Sequence, residues 1–441
     1  MTAAPTPFPE SPAPPTQTSA RLPPGSPLRS APVGESDRIH AIDVLRGFAL
    51  LGILILNIQA FAMPGAAYMN PHAYGDLTGA NYTVWWFTHV FGDQKFMTIF
   101  SMLFGAGIVL MTSRAEARTG RSAGVHYRRM GWLILFGLLH AHLLWYGDIL
   151  YSYGMCGLLV WLARKWSPKV LIPLGIGLIT VTSVLMLASG MSMPYWGEEG
   201  IANFSKGWLP PAELVQGDLD AYRGSWLDQM PKRVVTSIMF ETFLFAIAVF
   251  WRVSGLMLIG MALFRLGVFQ ARRSARFYCK MAIIGLTVGL SLAAYGVHWN
   301  NDRNWDVKSS FFFGSEFNYW GSIFASMGYV GVVMLLCTSP AILRSLAPLA
   351  AVGQMALTNY LMQTIICTTI FYGHGLGYFG SVERTGQAMV VLGVWAFQLI
   401  VSPIWLRYFR FGPAEWLWRS LTYWKRQPMR RTHGGPDAAA M

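Results

Sequence analysis

His140 and Asp148 stand eight residues apart in the segment Leu139-His140-Ala141-His142-Leu143-Leu144-Trp145-Tyr146-Gly147-Asp148. A histidine beside a carboxylate is how a general base is assembled. The carboxylate sets the imidazole tautomer and steadies the imidazolium once a proton has been taken. Gly147 marks a turn, so the pair is expected where two helices of a hairpin meet. The plainer alternative is a satisfied hydrogen bond between helices, and the segment alone leaves both readings open. His142 points to the opposite face of the same helix.

Other polar residues interrupt apolar runs, where each is costly to bury and therefore informative. Asp43, Arg46 and Asn57 fall on one helical face of the run 44–62, with Asp43 and Arg46 able to pair at i,i+3. Glu241 and Arg252, eleven residues apart, are expected on one face of another helix. They are too far apart to touch, and Asp148 is the partner expected for Arg252. Asn359 and Gln363, at i,i+4, form a polar stripe on a third helix, and Lys95 opens a fourth as an interfacial anchor. Topogenic charge pairs and packing amides would account for the same residues.

The elements that must position these groups are membrane helices. Of 441 residues, 54% are hydrophobic and 12% charged, against about 25% charged in soluble domains. A spanning helix needs about 20 mostly apolar residues. Ten such runs are read, near 44–62, 96–113, 130–146, 149–163, 170–190, 234–268, 281–299, 317–339, 349–373 and 386–407. The aromatic stretch 82–95 is a half-span or an interfacial helix, and 234–268 is long enough that it must tilt, project or break. The fold expected is an all-α polytopic bundle of about ten transmembrane helices. Residues 1–40, rich in Pro, Ala and Ser, read as a disordered cytoplasmic tail. Residues 41–424 read as one transmembrane domain with an external loop at 191–233, and 425–441 as a basic cytoplasmic tail.

The net charge is +13, and its placement decides its meaning. With both termini inside, 25 of the 34 Lys and Arg fall in inner segments and 8 in outer ones, while Arg252 lies within a span. That alternation is the positive-inside pattern, so the basic balance reports topology and argues against nucleic acid as a partner. The bilayer is the partner expected, in a bacterial cytoplasmic membrane. Cys156, Cys279, Cys337 and Cys367 are scattered without a CxxC, and no HxxxH or HExxH spacing marks a metal site. The glycines Gly375, Gly377 and Gly380 match GxGxxG but follow no strand, so they read as a turn. Gly285 and Gly289 are spaced for close helix approach.

Several segments together resemble the bacterial YeiB-like inner-membrane family. They are Arg38 to Gly47 (RIHAIDVLRG), Phe100 to Gly107 (FSMLFGAG), the hairpin His140 to Leu150, Met355 to Tyr360 (MALTNY) and Phe411 to Trp418 (FGPAEWLW). They run in order from about 38 to 424. The family carries a suggested association with transport. More distantly, Asp-x-x-Arg-Gly with Asn57 eleven residues after the Arg is similar to the first span of transmembrane acyltransferases of the heparan-alpha-glucosaminide N-acetyltransferase type. Trp86 and Asp93 echo a Trp/Asp pair of that group. Its outer-loop histidine has no match in register, His89 being nearest.

That resemblance and the His–Asp hairpin together imply an acyl group moved from a cytoplasmic acyl-CoA to a small-molecule or glycan acceptor at the outer face. Arg46 and the Arg114–Arg129 loop would attract the donor phosphates. His140 with Asp148 would be the base, and Asn57 or Arg252 would stabilise the oxyanion. The alternatives are a non-catalytic scaffold, which predicts no continuous polar cavity, and a transporter whose buried polar residues line a solute or proton path. Both functional readings place the polar residues around one buried site opening toward the outer face. No resident cofactor is implied beyond the acyl-CoA donor, and no oligomeric state is indicated.

Overall fold

The structure is a computed structural model that describes residues 39–431. Most of the two expected tails, 1–38 and 432–441, lies outside the described residues. His40 already opens the first helix, and residues 425–431 fold back so that Arg410 N and Arg431 N donate to Met429 O and Tyr408 O.

The described residues are helical throughout, with no strand, and form a polytopic membrane bundle. In chain order the helices are α1 (His40–Ala62), α2 (Ala66–Met69), α3 (Gly79–Phe87), α4 (Lys95–Thr119), α5 (Ala123–Leu143), α6 (Leu150–Val160) and α7 (Pro168–Ser192). Next follow α8 (Gly197–Trp208) and α9 (Ala212–Arg223), which bury Trp208, Leu219 and Tyr222 against the core, so the segment expected as a loop at 191–233 is mostly helical. Then come α10 (Trp226–Met239), α11 (Phe250–Arg265), α12 (Ala275–Asp302), α13 (Ser315–Cys337), α14 (Pro340–Ser345), α15 (Ala347–Gln354), α16 (Ala356–Phe371), α17 (Arg384–Tyr408) and α18 (Pro413–Tyr423).

Seven helical stretches among the described residues are long and apolar enough to cross a bilayer. The other three expected spans map onto α5, onto the short α6, and onto α15–α16, which breaks at Met355. These are the helices that carry His140, follow Asp148, and hold Asn359 and Gln363. α6 and the α15–α16 pair fall short of an ordinary span in unbroken helical length, and α5 falls short in apolarity, carrying Arg128 and Arg129.

The long stretch 226–265 neither breaks nor stays regular. Residues Phe240–Val249 form a π-helical segment joining α10 to α11. Its i→i+5 bonds turn the chain less per residue than an α-helix does. The eleven-residue spacing of Glu241 and Arg252 therefore does not put them on one face, contrary to the α-helical expectation. A second π-helical turn, Thr88–Gly92, follows α3, and Gln94 at φ 62° breaks the path before α4 begins.

Helix α1 is the centre of the bundle: most of its length is buried, whereas α7, α12 and α17 leave most of their apolar residues on the outside, where lipid would cover them. It crosses α15 with the backbones in contact. A Cβ on Gly47 would lie 2.0 Å from Leu349 O, and one on Gly353 1.9 Å from Asp43 O. Gly285 and Gly289 serve the same purpose between α12 and α13: a Cβ on Gly289 would meet Ala325 N at 2.2 Å. Where lipid supplies no hydrophobic drive between helices, such close approach is how they associate.

Candidate functional site

Helix α5 ends at Leu143 and α6 begins at Leu150, and the turn between them is built around Asp148. One carboxylate oxygen, Oδ2, accepts from Tyr151 N at 2.7 Å, satisfying a donor in the first turn of α6. That bond aims the other oxygen, Oδ1, at His140 Nδ1, 2.9 Å away. The far side of the imidazole meets α16, where His140 Nε2 lies 2.9 Å from Thr364 Oγ1. With the carboxylate accepting from Nδ1–H, Nε2 is the lone-pair nitrogen and the Thr364 hydroxyl donates to it; this tautomer follows from the bonding pattern. The side chains of His140 and Asp148 are 1% and 3% exposed, and Thr364 is as deeply buried. The arrangement is a carboxylate–imidazole–hydroxyl relay crossing three helices, shielded from water.

The Tyr360 ring packs 5.1 Å from the His140 ring. On its other side lies a cavity of about 250 Å³, entered from the end of the bundle that the charge pattern assigns to the cytoplasm. Its mouth carries Arg46, Arg114, Arg129 and Arg419, its walls are Leu50, Phe104 and Leu133, and its inner end is closed by Leu150, Tyr153 and Tyr360. Arg46 Nη1 bonds Asp43 Oδ1 at 2.9 Å. Arg129 lies within electrostatic range of Arg419 and Arg46 and stacks 4.1 Å over the Trp418 ring. Among the described residues no carboxylate comes within ion-pair distance of it. The cavity lining thus carries four arginines against the carboxylates of Asp43 and Glu415, an excess of positive charge beside apolar walls.

The mouth is framed by α18, which the FGPAEWLW motif builds. Glu415 is buried and receives Leu357 N at 2.5 Å, Thr358 N at 3.1 Å and Thr358 Oγ1 at 2.6 Å, so it caps the start of α16. Trp418 Nε1 donates to Arg129 O at 3.0 Å, and Arg128 Nε to Thr422 O at 3.0 Å, tying α18 along the N-terminal half of α5. One short helix therefore sets the register of both the base-bearing and the hydroxyl-bearing helix.

The remaining sequence candidates lie elsewhere. Arg252 does not meet Asp148, whose oxygens are already occupied by Nδ1 of His140 and N of Tyr151. Its guanidinium donates to Tyr319 O, Thr98 Oγ1 and Ser322 Oγ at 3.2, 3.3 and 2.8 Å and stacks on the Tyr319 ring. Glu241 pairs with His142 at 3.0 Å, on the face of α5 turned away from His140. Lys95 is fully buried instead of anchoring the interface. Its Nζ donates to Asn318 Oδ1 and His89 O, while Asn318 Nδ2 donates to Asp93, which also faces His89.

Asn57 is half-buried on α1, and its amide makes no hydrogen bond with a described residue. Asn359 stitches the α15–α16 break to α17, donating to Val352 O and Ser402 Oγ, and Gln363 donates to Gln398 Oε1. Among the described residues no three His, Cys, Asp or Glu side chains gather as a metal site would. The polar residues thus do not surround one site: one group lies at His140 and another around Lys95 and Arg252, with Glu241, Asn57, Asn359 and Gln363 outside both, and the cavity beside the first opens toward the end that the charge pattern assigns to the cytoplasm, contrary to the outward opening expected. Thr364, Tyr360 and Glu415 were missed as site residues. The only signal for Thr364 was positional: it lies one turn after Tyr360, which belongs to the MALTNY motif.

The fold and these motifs define a polytopic membrane protein with a buried relay, and comparison with known sequences supplies its kin. Residues 263–425 match the family described as "Protein of unknown function (DUF418)". The chain is 34% identical over 398 residues to the uncharacterized protein YeiB of Escherichia coli (strain K12), covering 88% of this chain and 96% of that protein. It is 30% identical over 421 residues to the uncharacterized protein YxaH of Bacillus subtilis (strain 168), covering 91% and 98%. The chain belongs to the YeiB-like family.

Proposed function

We propose that this protein transfers an acyl group from a cytoplasmic acyl-CoA, in the bacterial inner membrane, to a hydroxyl or amine on a small-molecule or glycan acceptor presented at the outer face. The observation that carries the reading is the cavity: an arginine-rich mouth, apolar walls, and an inner end one aromatic ring away from His140 and Asp148. The phosphates of the donor belong at the arginines, where guanidinium forks match them. The pantetheine arm and acyl chain belong along Leu50, Phe104 and Leu133. The thioester then arrives beneath the relay, where His140 moves the proton.

The test uses the full chain in lipid nanodiscs with acyl-CoA of graded chain length. Thiol release that saturates with acyl-CoA, weakens with salt, and falls with a raised KM in Arg129→Ala supports the reading. No thiol release at any chain length sinks it. The buried group of Lys95, Asp93, Asn318 and Arg252 favours a second reading, transport of a small solute or proton. Flux into proteoliposomes that needs no acyl-CoA and stops in Lys95→Met would favour transport over transfer.

A further inference from the structure

We propose that Thr364 is the nucleophile of this reaction and carries the acyl group covalently between two half-reactions. The inference rests on the acyl-transfer reading and adds to it a step with its own readout.

The argument begins with the nitrogen that would act as base. His140 has one lone pair to offer, at Nε2, and that lone pair already faces a hydroxyl of the protein itself, Thr364 Oγ1 at 2.9 Å. Nδ1 is committed to Asp148 at 2.9 Å, and Asp148 to Tyr151 N at 2.7 Å. An outside acceptor could be deprotonated by His140 directly only by displacing Thr364. Displacement is expensive, because the buried Thr364 hydroxyl would lose the nitrogen it donates to. A base, its orienting carboxylate and a hydroxyl within hydrogen-bond reach are the three elements of an activated nucleophile.

Access points the same way. Thr364 lies one helical turn beyond Tyr360, on the same face of α16. Tyr360 is one of the three side chains at the inner end of the cavity, and its hydroxyl holds Gly147 O only at 3.4 Å. Any path from the cavity to Thr364 Oγ1 passes this ring, so the donor can reach the hydroxyl only if Tyr360 moves aside. The donor therefore enters from one side of the bundle, and a direct transfer would need the acceptor at His140 at the same moment. A covalent intermediate removes that requirement.

The chemistry balances without a further reactant. Thr364 Oγ attacks the thioester carbonyl while His140 Nε2 takes the hydroxyl proton. The C–S bond breaks, and His140 returns the proton to the thiolate, giving free CoA thiol and a threonine ester. In the second half, His140 takes the proton of the acceptor hydroxyl or amine, which attacks the ester. The C–O bond to Thr364 breaks, and His140 reprotonates Oγ.

The experiment mixes purified full-length protein in nanodiscs with acetyl-CoA and a medium-chain acyl-CoA, without acceptor, and follows thiol release and the mass of the protein and its peptides. The expected result is a burst approaching one thiol per protein and an acyl adduct on the peptide containing Thr364. Thr364→Ser should keep the adduct within about tenfold of the wild-type rate. Thr364→Val, which keeps the branched shape, and His140→Ala should lose it by about 10²-fold or more. Thermal unfolding of each variant separates chemistry from misfolding, and the serine variant holds the test open if valine fails to fold. Thiol release and acyl product in the wild type with no adduct, and a Thr364→Val variant transferring at the wild-type rate, would overturn the proposal while leaving acyl transfer standing. A wild type that releases no thiol overturns both.

Discussion

Replacing Asp148 by Asn tests the base most sharply, because it keeps shape and removes one acceptor. Both Asp148 oxygens receive an N–H, from His140 Nδ1 at 2.9 Å and from Tyr151 N at 2.7 Å. Asparagine has one oxygen and one NH2, so it cannot satisfy both. The Tyr151 N–H is fixed by the backbone, whereas the imidazole can move its proton. The amide oxygen therefore stays on Tyr151, and the NH2 turns to His140 Nδ1 as a donor. The ring proton shifts to Nε2, where it points at Thr364 Oγ1, and the lone pair that would accept the hydroxyl proton is gone. Loss of general-base action costs about 10²–10⁴ in rate. The stability cost is that of a charge-assisted hydrogen bond exchanged for a neutral one, about 1–3 kcal/mol. A folded domain has about 5–15 kcal/mol in hand, so Asp148→Asn should fold and be inactive. Thiol release from acyl-CoA in nanodiscs gives the rate, and thermal unfolding in the same lipid gives the stability. A variant within about threefold of wild-type activity would refute the assignment of His140 as base, whatever its stability.

Other consequences follow from the packing and the charges. Gly353→Ala places a Cβ 1.9 Å from Asp43 O; overpacking of this kind costs about 1–3 kcal/mol, so a lowered unfolding temperature is expected, and an unchanged one would show that the α1–α15 crossing is looser than described. Glu415→Gln leaves the α16 start with one acceptor oxygen in place of two and should cost about 1–3 kcal/mol, with faster protease cleavage near α18 as the second readout. Lys95→Met leaves Asn318 Oδ1 and His89 O without their buried donor and should cost about 1–3 kcal/mol, and a double-mutant cycle with Asn318→Ala should show the two residues coupled. Raising salt from low to physiological strength should weaken acyl-CoA binding in the wild type more than in Arg129→Ala, because the arginine mouth is a screened electrostatic contact.

Helical class, membrane character and the basic end of the bundle could be read from composition and from alternating charge. The His140–Asp148 pair was legible because both partners sit in one short hairpin, where a glycine turn fixes which groups can meet. The partner of Arg252 was not, for two reasons. Its helix passes through ten π-helical residues that rotate it off the face a regular α-helix would give. Its actual partners, Tyr319, Thr98 and Ser322, are a carbonyl and two hydroxyls on α13 and α4, groups too common for sequence to single out. Lys95 misled because a lysine at the start of a span usually reaches the headgroups, and nothing local reveals that Asn318, 223 residues on, draws it inward. Thr364 was overlooked because one hydroxyl costs little in a membrane helix and therefore leaves no mark on hydropathy.

The helices that least resemble membrane spans are the ones that build the relay. A segment of about 20 apolar residues is inserted by its hydrophobicity alone, but α6 spans only Leu150–Val160 before a tighter turn, and α15–α16 is interrupted at Met355. Such segments are stable in lipid only when neighbouring protein satisfies their polar groups. The neighbours do so here: Asp148 caps α6, Glu415 caps α16, and Asn359 bridges the break to Val352 O. The groups that make these short helices tolerable thus also hold His140 and Thr364 in line. Positioning and stability are therefore coupled at this site, and any substitution among Asp148, Glu415 and Asn359 must be judged on rate and unfolding together. Only Asp148, which touches the imidazole, should lower the rate by more than its effect on folding explains.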